Sequence, residues 1–338
     1  MKKSSFIMCV CAVLALGICS CSKNNDVVDK RVALILPSGT TLPRWADDAK
    51  YLSQALSSYG YNAKLYTAEE TQNGANEQVA QIKEALKDGI THFVITPIDF
   101  KTINESGVLQ SNQKCNFISY DRMIMENEAV DFYVSCDPEK IGTMQAQFLL
   151  QNFRASGKTS MTIEYFAGPS TDKNSSVYFN SAVRLLREQT ALTVPSGKKT
   201  YEQCALPSWS TEDAKAEMLN RLEENGAPDM VLAPNDNVAA GVISALIEKG
   251  YNTFPVITGQ DLTEQARANI KAGRQAMTIY KENDELARAA AMVVNSFILG
   301  STVSTGKIFN NGVKDVPAIY SSITLVTKDN IDPASIAN

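Results

Sequence analysis

From Arg31 onward the chain alternates short apolar runs with longer amphipathic stretches, and no other feature restricts its fold so strongly. Residues 32–36 are apolar without interruption, which suits a strand covered on both faces. The following stretch, 45–58, puts Leu52, Ala55 and Leu56 on one helical face, and Gly60 stops it. The unit then repeats, with strands expected at 62–66, 93–95, 115–119 and 131–135 and helices at 76–87 and 103–112. Pro138 suits the first turn of a further helix. Beyond Gly157 the pattern restarts, with extended segments at 162–166, 201–206, 230–233, 255–258 and 277–280. Helices are expected between them at 175–187, 214–223, 238–248 and 264–271, and then at 285–299, before an extended arm over 319–326. Such βα units predict parallel sheets with helices on both faces. A chain of this length exceeds one typical core, so two domains are expected, with a hinge near Ser135-Cys136.

The first thirty residues read as targeting. Met1-Lys2-Lys3 is basic, and residues 6–18 are apolar but too short to span a bilayer comfortably. Ser20-Cys21 then resembles a bacterial lipobox, in which a small residue precedes the modified cysteine. That resemblance implies a signal peptide over 1–20, lipidation of Cys21 and a polar tether over 21–30. Several acyl chains on one residue would anchor the chain stably. A soluble secreted protein and an uncleaved anchor are the alternatives.

Of seven cysteines, Cys115, Cys136 and Cys204 then remain. Cys115 and Cys136 lie in strand-like runs, where a thiol acts as a small apolar group. No C-x-x-C motif remains to suggest zinc or redox chemistry. Without residues 1–20 the chain holds 30 basic against 37 acidic side chains and no basic stripe, which argues against nucleic-acid binding.

Polar and aromatic residues recur where the strands end. The strand before Asp121-Arg122 delivers a carboxylate and a guanidinium together. Other strands lead to Arg44-Trp45, Asp172-Lys173-Asn174, Trp209, Asn235-Asp236, Gln260-Asp261 and Lys281. Each has an ordinary structural explanation: Asp236, Asp261 and Asn174 could be helix caps, Lys281 a solvated charge, and Asp121-Arg122 a surface ion pair. Together they fall on one topological edge, the carboxyl ends of the strands, where open α/β sheets bind ligands. Carboxylates accept, Arg and Lys donate, and a sugar hydroxyl does both. Trp45 and Trp209, the only tryptophans, lie in opposite halves and could cover the apolar faces of one pyranose.

Catalytic readings are weaker. His92 is the only histidine and has no partner pattern for a triad or a metal. The chain carries neither a Walker A sequence nor a G-x-G-x-x-G. The expected site has no catalytic residue, no metal and no cofactor. Carboxylates paired with Arg and Lys tend to stay ionised, which suits hydroxyl binding better than proton donation.

The segments 119–124, 131–135, 258–261 and 277–281, with Arg44-Trp45, Asn174, Trp209 and Asn235-Asp236, carry a resemblance over nearly the whole chain in order. The chain resembles the type I periplasmic sugar-binding proteins of ABC importers, in particular the D-xylose-binding proteins and multiple-monosaccharide receptors. The resemblance implies two Rossmann-like doubly wound α/β lobes joined by a three-crossover hinge. It assigns 31–135 plus 262–312 to the N-terminal lobe and 136–261 plus 313–338 to the C-terminal lobe. It implies ligand binding by Arg44, Trp45, Asp121, Arg122, Asn174, Trp209, Asp236, Gln260, Asp261 and Lys281. Thr171-Asp172-Lys173-Asn174-Ser175 replaces the Asp-Asn-Asn-Ala run more usual there, and the Gly39-Thr40-Thr41 loop and Pro43 also depart, which leaves pentose against hexose open. The expected protein is a monomeric, non-catalytic receptor for a monosaccharide, with a xylose-like aldopyranose favoured. It would be lipid-anchored in a bacterial cell envelope and would present its sugar to an ABC permease or a sensor kinase ectodomain. A carbohydrate-active hydrolase and a binder of a non-pyranose signalling ligand are the alternatives.

Overall fold

The computed structural model describes residues 30–40 and 42–332. The chain begins β1 (Arg31–Pro37), α1 (Arg44–Ser58), β2 (Asn62–Ala68), α2 (Gln72–Lys87), β3 (His92–Ile95), α3 (Phe100–Glu105), β4 (Asn116–Tyr120) and β5 (Val130–Cys136). It continues α4 (Pro138–Ser156), β6 (Met161–Tyr165), α5 (Lys173–Leu186), β7 (Leu192–Thr193), α6 (Tyr201–Cys204), α7 (Thr211–Asn225), β8 (Met230–Leu232), α8 (Asp236–Glu248) and β9 (Val256–Ile257). It ends α9 (Glu264–Lys271), β10 (Thr278–Lys281), α10 (Asn283–Ile298), β11 (Lys307–Asn310), β12 (Asp315–Ser321) and β13 (Ile323–Val326). The signal, Cys21 and the tether up to residue 29 lie outside the described residues, as do 333–338.

The first sheet has the order β11-β12-β5-β4-β3-β1-β2, parallel except for β11. Within the sheet, β1 is apolar from Val32 to Leu36 because both faces are covered: these residues are fully buried, alternating between two cores. The second sheet has the order β7-β6-β8-β9 and is parallel. β10 extends it at one edge, with Ala276 N donating to Ile257 O at 3.0 Å and Ile279 N to Gly259 O at 3.2 Å. Polar side chains cap every described helix except α1 and α10 at its start. Asp137 caps α4 with Pro138 in its first turn, and Gly157 closes that helix at φ 68°.

Two expected elements differ. Residues 201–206, read as extended, instead begin with the short helix α6, nucleated by a capping box between Thr200 and Gln203. The helix read at 103–112 is the shorter α3, started by the Asp99 cap. Periodicity over so few residues does not separate helix from strand.

Three crossovers lie side by side between the lobes. They follow β5 at Cys136, β10 at Lys281 and β12 at Ser321. They are tied together by Ser321 against Cys136 in the β12–β5 register and by Lys281 against Ile323 in the antiparallel β10–β13 pair. Cys136 Sγ also lies 3.1 Å from Ser321 Oγ. Cys115, Cys136 and Cys204 are free thiols, and burial pushes Cys136 and Cys204 up to about 11.

These pairings shift the lobe boundaries drawn from the sequence. Residues 264–281, given to the first lobe, pack with the second: Met277 and Ile279 join its core and α9 lies against α8. Residues 315–321, given to the second lobe, form β12 beside β5 in the first sheet. The first lobe is therefore 31–136 with 283–321, and the second 137–281 with 322–332. The reason is local. Met277 and Ile279 continue the apolar β9 edge, whereas Val316 and Ala318 fill the core beside Tyr133.

Candidate ligand-binding site

Both sheets turn their carboxyl ends toward one cleft between the lobes. A small cavity lies there, bounded on the first-lobe side by Leu42, Arg44, Trp45, Asp121 and Arg122. From the second lobe come Asp172, Tyr178, Trp209, Asn235, Gln260 and Asp261, and the crossover residue Lys281 completes the wall.

Arg44 opens α1, the end of a helix where a cation is least favoured. Carboxylates hold it there. Its Nε donates to Asp48 Oδ2 at 3.0 Å, its NH2 lies 2.9 Å from Asp121 Oδ2, and its NH1 lies 3.5 Å from Asp261 Oδ1. Asp48, fully buried, also accepts from Tyr120 Oη at 2.7 Å. The guanidinium groups of Arg44 and Arg122 lie 4.6 and 5.1 Å from the Trp45 ring centre.

Asp121 has φ 59°, a left-handed conformation that Asp tolerates better than most residues. Its carbonyl accepts from Tyr133 Oη at 2.9 Å, Ser135 Oγ at 2.8 Å and Asn174 Nδ2 at 2.8 Å, which locks the corner. Burial works to raise its carboxyl, but Arg44, Lys281 and Arg122 outweigh that and hold it at about 2. Arg122 bridges the lobes, with Nε 2.9 Å from Asp172 Oδ2 and NH2 2.6 Å from Glu70 Oε1.

Asp261 forms the matching corner of the second lobe. Its φ is 98°, and its Oδ1 lies 3.1 Å from Lys281 Nζ. Burial and Arg44 act against the Lys281 ammonium, but Asp121 and Asp261 keep its pKa above the usual value. The Trp209 ring lies so close to Gly168 that a Cβ there would come within 2.1 Å of it.

Arg44, Trp45, Asp121, Arg122, Trp209, Gln260, Asp261 and Lys281 thus meet at one cavity, as the sequence suggested. Asp236 and Asn174 do not line it. Asp236 is set behind the wall, accepting from Thr278 Oγ1 at 2.8 Å, Gln275 Nε2 at 2.8 Å and Thr263 N at 2.9 Å. Burial, reinforced by Asp261, pushes its carboxyl up to about 7. The preceding Asn235 caps α8 through Val238 N at 2.9 Å and takes the lining position instead. Asn174 braces the Asp121 carbonyl across the cleft, while Asp172 caps α5. Among residues absent from the expected set, Tyr178 lies one helical turn beyond Asn174, a spacing that could have found it. Asp48 lies one turn beyond Arg44, and its signal is the same i, i+4 spacing of opposite charges. Nothing in the sequence marks Glu70, which lies after β2 and meets Arg122 only through the tertiary fold.

Residues 32–302 match the model of the periplasmic binding protein domain family. The chain is 31% identical to the multiple sugar-binding periplasmic protein SbpA of Azospirillum brasilense, over 85% of this chain and 83% of that one. It is 30% identical to the multiple sugar-binding periplasmic receptor ChvE of Rhizobium radiobacter, over 96% and 95% of the two chains. It is 31% identical to the D-xylose-binding periplasmic protein of Escherichia coli K12, over 86% and 84%. A crystal structure of an ABC transporter solute-binding protein from Clostridium phytofermentans with bound β-D-glucose superposes with a TM-score of 0.81, at 29% identity, covering 89% of this chain and 94% of that one. Family and fold make the chain a binding protein rather than an enzyme. It belongs to the periplasmic binding protein family, in the sugar-binding group that serves ABC transporters.

Proposed function

We propose that this chain is a lipid-anchored receptor that closes its two lobes over one neutral aldopyranose, with a xylose-like sugar first, and presents it to an ABC permease. The observation that carries this reading is the cavity wall. Three cations, Arg44, Arg122 and Lys281, face three carboxylates, Asp121, Asp172 and Asp261, drawn from both lobes. Such a balanced wall offers charged donors and acceptors to hydroxyls and leaves no net positive charge for an anionic sugar. Relatives named for D-xylose and structures holding glucose support a ring whose hydroxyls follow the gluco configuration, which the two sugars share. Leu42, Trp45, Tyr178 and Trp209 supply apolar wall for its C–H faces. Ligand contacts made to both lobes at once favour the closed form, which the permease reads. A sensor kinase ectodomain could read the same form. The anchor would be acylated Cys21, and the chain is proposed to act as a monomer in the cell envelope.

A calorimetric and thermal-shift screen of pentoses and hexoses tests this. D-xylose is expected to raise the melting temperature and bind one to one, and uronic acids are expected to bind far more weakly. Failure of every neutral monosaccharide to bind would reject the reading. Unchanged palmitate labelling in Cys21→Ala would reject the anchor alone.

A further inference from the structure

Glu70 is a buried carboxylate that does not line the cavity, yet it makes the closest contact to an arginine that does. It follows β2, just before the Thr71 cap of α2, and its side chain is 7% exposed. One oxygen, Oε1, lies 2.6 Å from Arg122 NH2. The other, Oε2, is buried without a hydrogen-bond partner among the described residues. Burying a carboxylate with half its acceptor capacity unmet is costly. In the closed arrangement seen here Arg122 already has a second carboxylate, Asp172 Oδ2, at 2.9 Å from Nε. Arg122 NH1 adds only a 3.5 Å contact to Pro97 O.

The two carboxylates differ in the lobe that carries them. Asp172 caps α5 of the second lobe and leaves with it when the cleft opens. Glu70 shares the first lobe with Arg122 and stays. One guanidinium charge is therefore divided between a fixed partner and a departing one. The more fully Glu70 neutralises Arg122, the less the empty cleft gains by bringing Asp172 to it. A closed empty cleft admits no ligand, so restraining that closure keeps the protein receptive.

We propose that Glu70 is a positioning residue: it holds Arg122 in place when the cleft is open and, by competing with Asp172 for the same guanidinium, restrains closure of the ligand-free protein. This rests on the lobe-closing reading above, but not on which sugar is bound.

The test compares wild type with Glu70→Gln, which keeps the shape and removes the charge. Spin labels at the exposed Lys83 of α2 and Glu224 of α7, in a Cys115→Ser background, report the distance between lobes without sugar. Glu70→Gln is expected to shift the sugar-free distribution toward the closed distance and to slow sugar association by about fivefold or more, with a smaller change in dissociation. Asp172→Asn is expected to shift the distribution the other way. Glu70→Asp keeps the charge but draws it back by one methylene, so it should fall between wild type and Glu70→Gln, and it carries the test if Glu70→Gln does not fold. Unchanged distances and association rates would overturn the proposal, even if the melting temperature falls, because a merely structural glutamate would give that result. The distances are read without sugar, so a chain that binds no monosaccharide rejects the function and leaves this inference to be decided by the distances.

Discussion

In the first lobe the residue after β4, Asp121, turns left-handed at φ 59° and donates its N–H to Val134 O at 2.8 Å. In the second lobe the loop after β9 does the same at Asp261, with φ 98° and a 2.8 Å bond to Ile279 O. Each strand thus hands a carboxylate to the cavity through a backbone bond to the next strand. What stands around the two corners differs. Asp121 is followed by Arg122 and faced by Arg44 and Lys281. Asp261 is followed by Leu262, and the buried carboxylate behind it, Asp236, has only hydroxyl, amide and backbone donors. Two fully buried acids therefore move in opposite directions, Asp121 down to about 2 and Asp236 up to about 7. Burial raises both, and the nearby full positive charges decide the sign at Asp121. Both corners meet Arg44 and Lys281, but the first also has Arg122 beside it, whereas the acid behind the second, Asp236, is held by neutral donors alone.

The largest expected effect tests the first corner. Asp121→Ala removes the acceptor shared by Arg44 and Lys281 and is expected to cost roughly 2–5 kcal/mol of sugar binding, as for breaking a buried charge pair. Asp261→Ala is expected to cost less, because Asp121 feels the adjacent Arg122 as well as Arg44 and Lys281. Calorimetry on both variants measures the difference. Equal losses would mean the corners are interchangeable for the ligand.

The second effect concerns stability against pH. Asp236 has a folded pKa of about 7, above the unfolded value of 3.8, so the folded state binds more protons between them. Its contribution is greatest at low pH and falls as pH rises from about 4 through 7, by up to about 4 kcal/mol. Asp121 acts with the opposite sign: its contribution is present above the unfolded value and is lost as pH falls toward 2. Asp236→Asn is expected to flatten the loss between pH 4.5 and 8. Gln275, whose Oε1 is unpartnered, can turn to accept from the new amide. Urea unfolding of wild type and variant at the two pH values gives the slopes, and parallel slopes would remove the group from the account.

A third effect separates the strands that lead into the corners. Ser119 precedes the first corner and accepts from Ile124 N at 3.1 Å. Gly259 takes its place in the second, where a Cβ would lie 2.2 Å from Asp236 Oδ1 and 2.4 Å from Gln275 Nε2. Gly259→Ala is expected to cost about 1–3 kcal/mol of stability by overpacking. A neutral result by urea unfolding would show that the Asp236 network is looser than its distances.

The corners were legible in the sequence to different degrees, for a physical reason. Asp121, Arg122, Gln260 and Asp261 end apolar runs, so a period-based reading reaches them and the sheet topology brings them together. Asp236 follows a strand in the same way, but sequence does not tell it from Asn235, and the α8 cap decides which of the two faces the cavity. Glu70 and Asp172 matter through Arg122, a relation set by tertiary packing. The lobe boundary after Asp261 came from the resemblance, and periodicity does not correct it, because residues 277–281 read equally well as a strand of either sheet. Backbone bonds from Ala276 and Ile279 to the β9 edge settle it.

The smallest expected effect compares the tryptophans, one from each lobe. Trp45 lies under two guanidinium groups at 4.6 and 5.1 Å, whereas Trp209 is seated against Gly168 and, among the described residues, no cation lies over its ring. A phenyl ring covers less of a sugar face than an indole and attracts a cation less strongly. Trp45→Phe should then lose both ligand contact and its hold on Arg44 and Arg122, about 1 kcal/mol of binding. Trp209→Phe should lose ligand contact only, about half as much. The two variants also serve as single-tryptophan reporters. If both rings face one sugar, the remaining indole in each should change its fluorescence when ligand is added. If only one variant responds, the silent indole belongs to the wall and not to the ligand. A larger loss for Trp209→Phe than for Trp45→Phe would place the stronger stacking surface in the second lobe, contrary to what the cations over Trp45 lead one to expect.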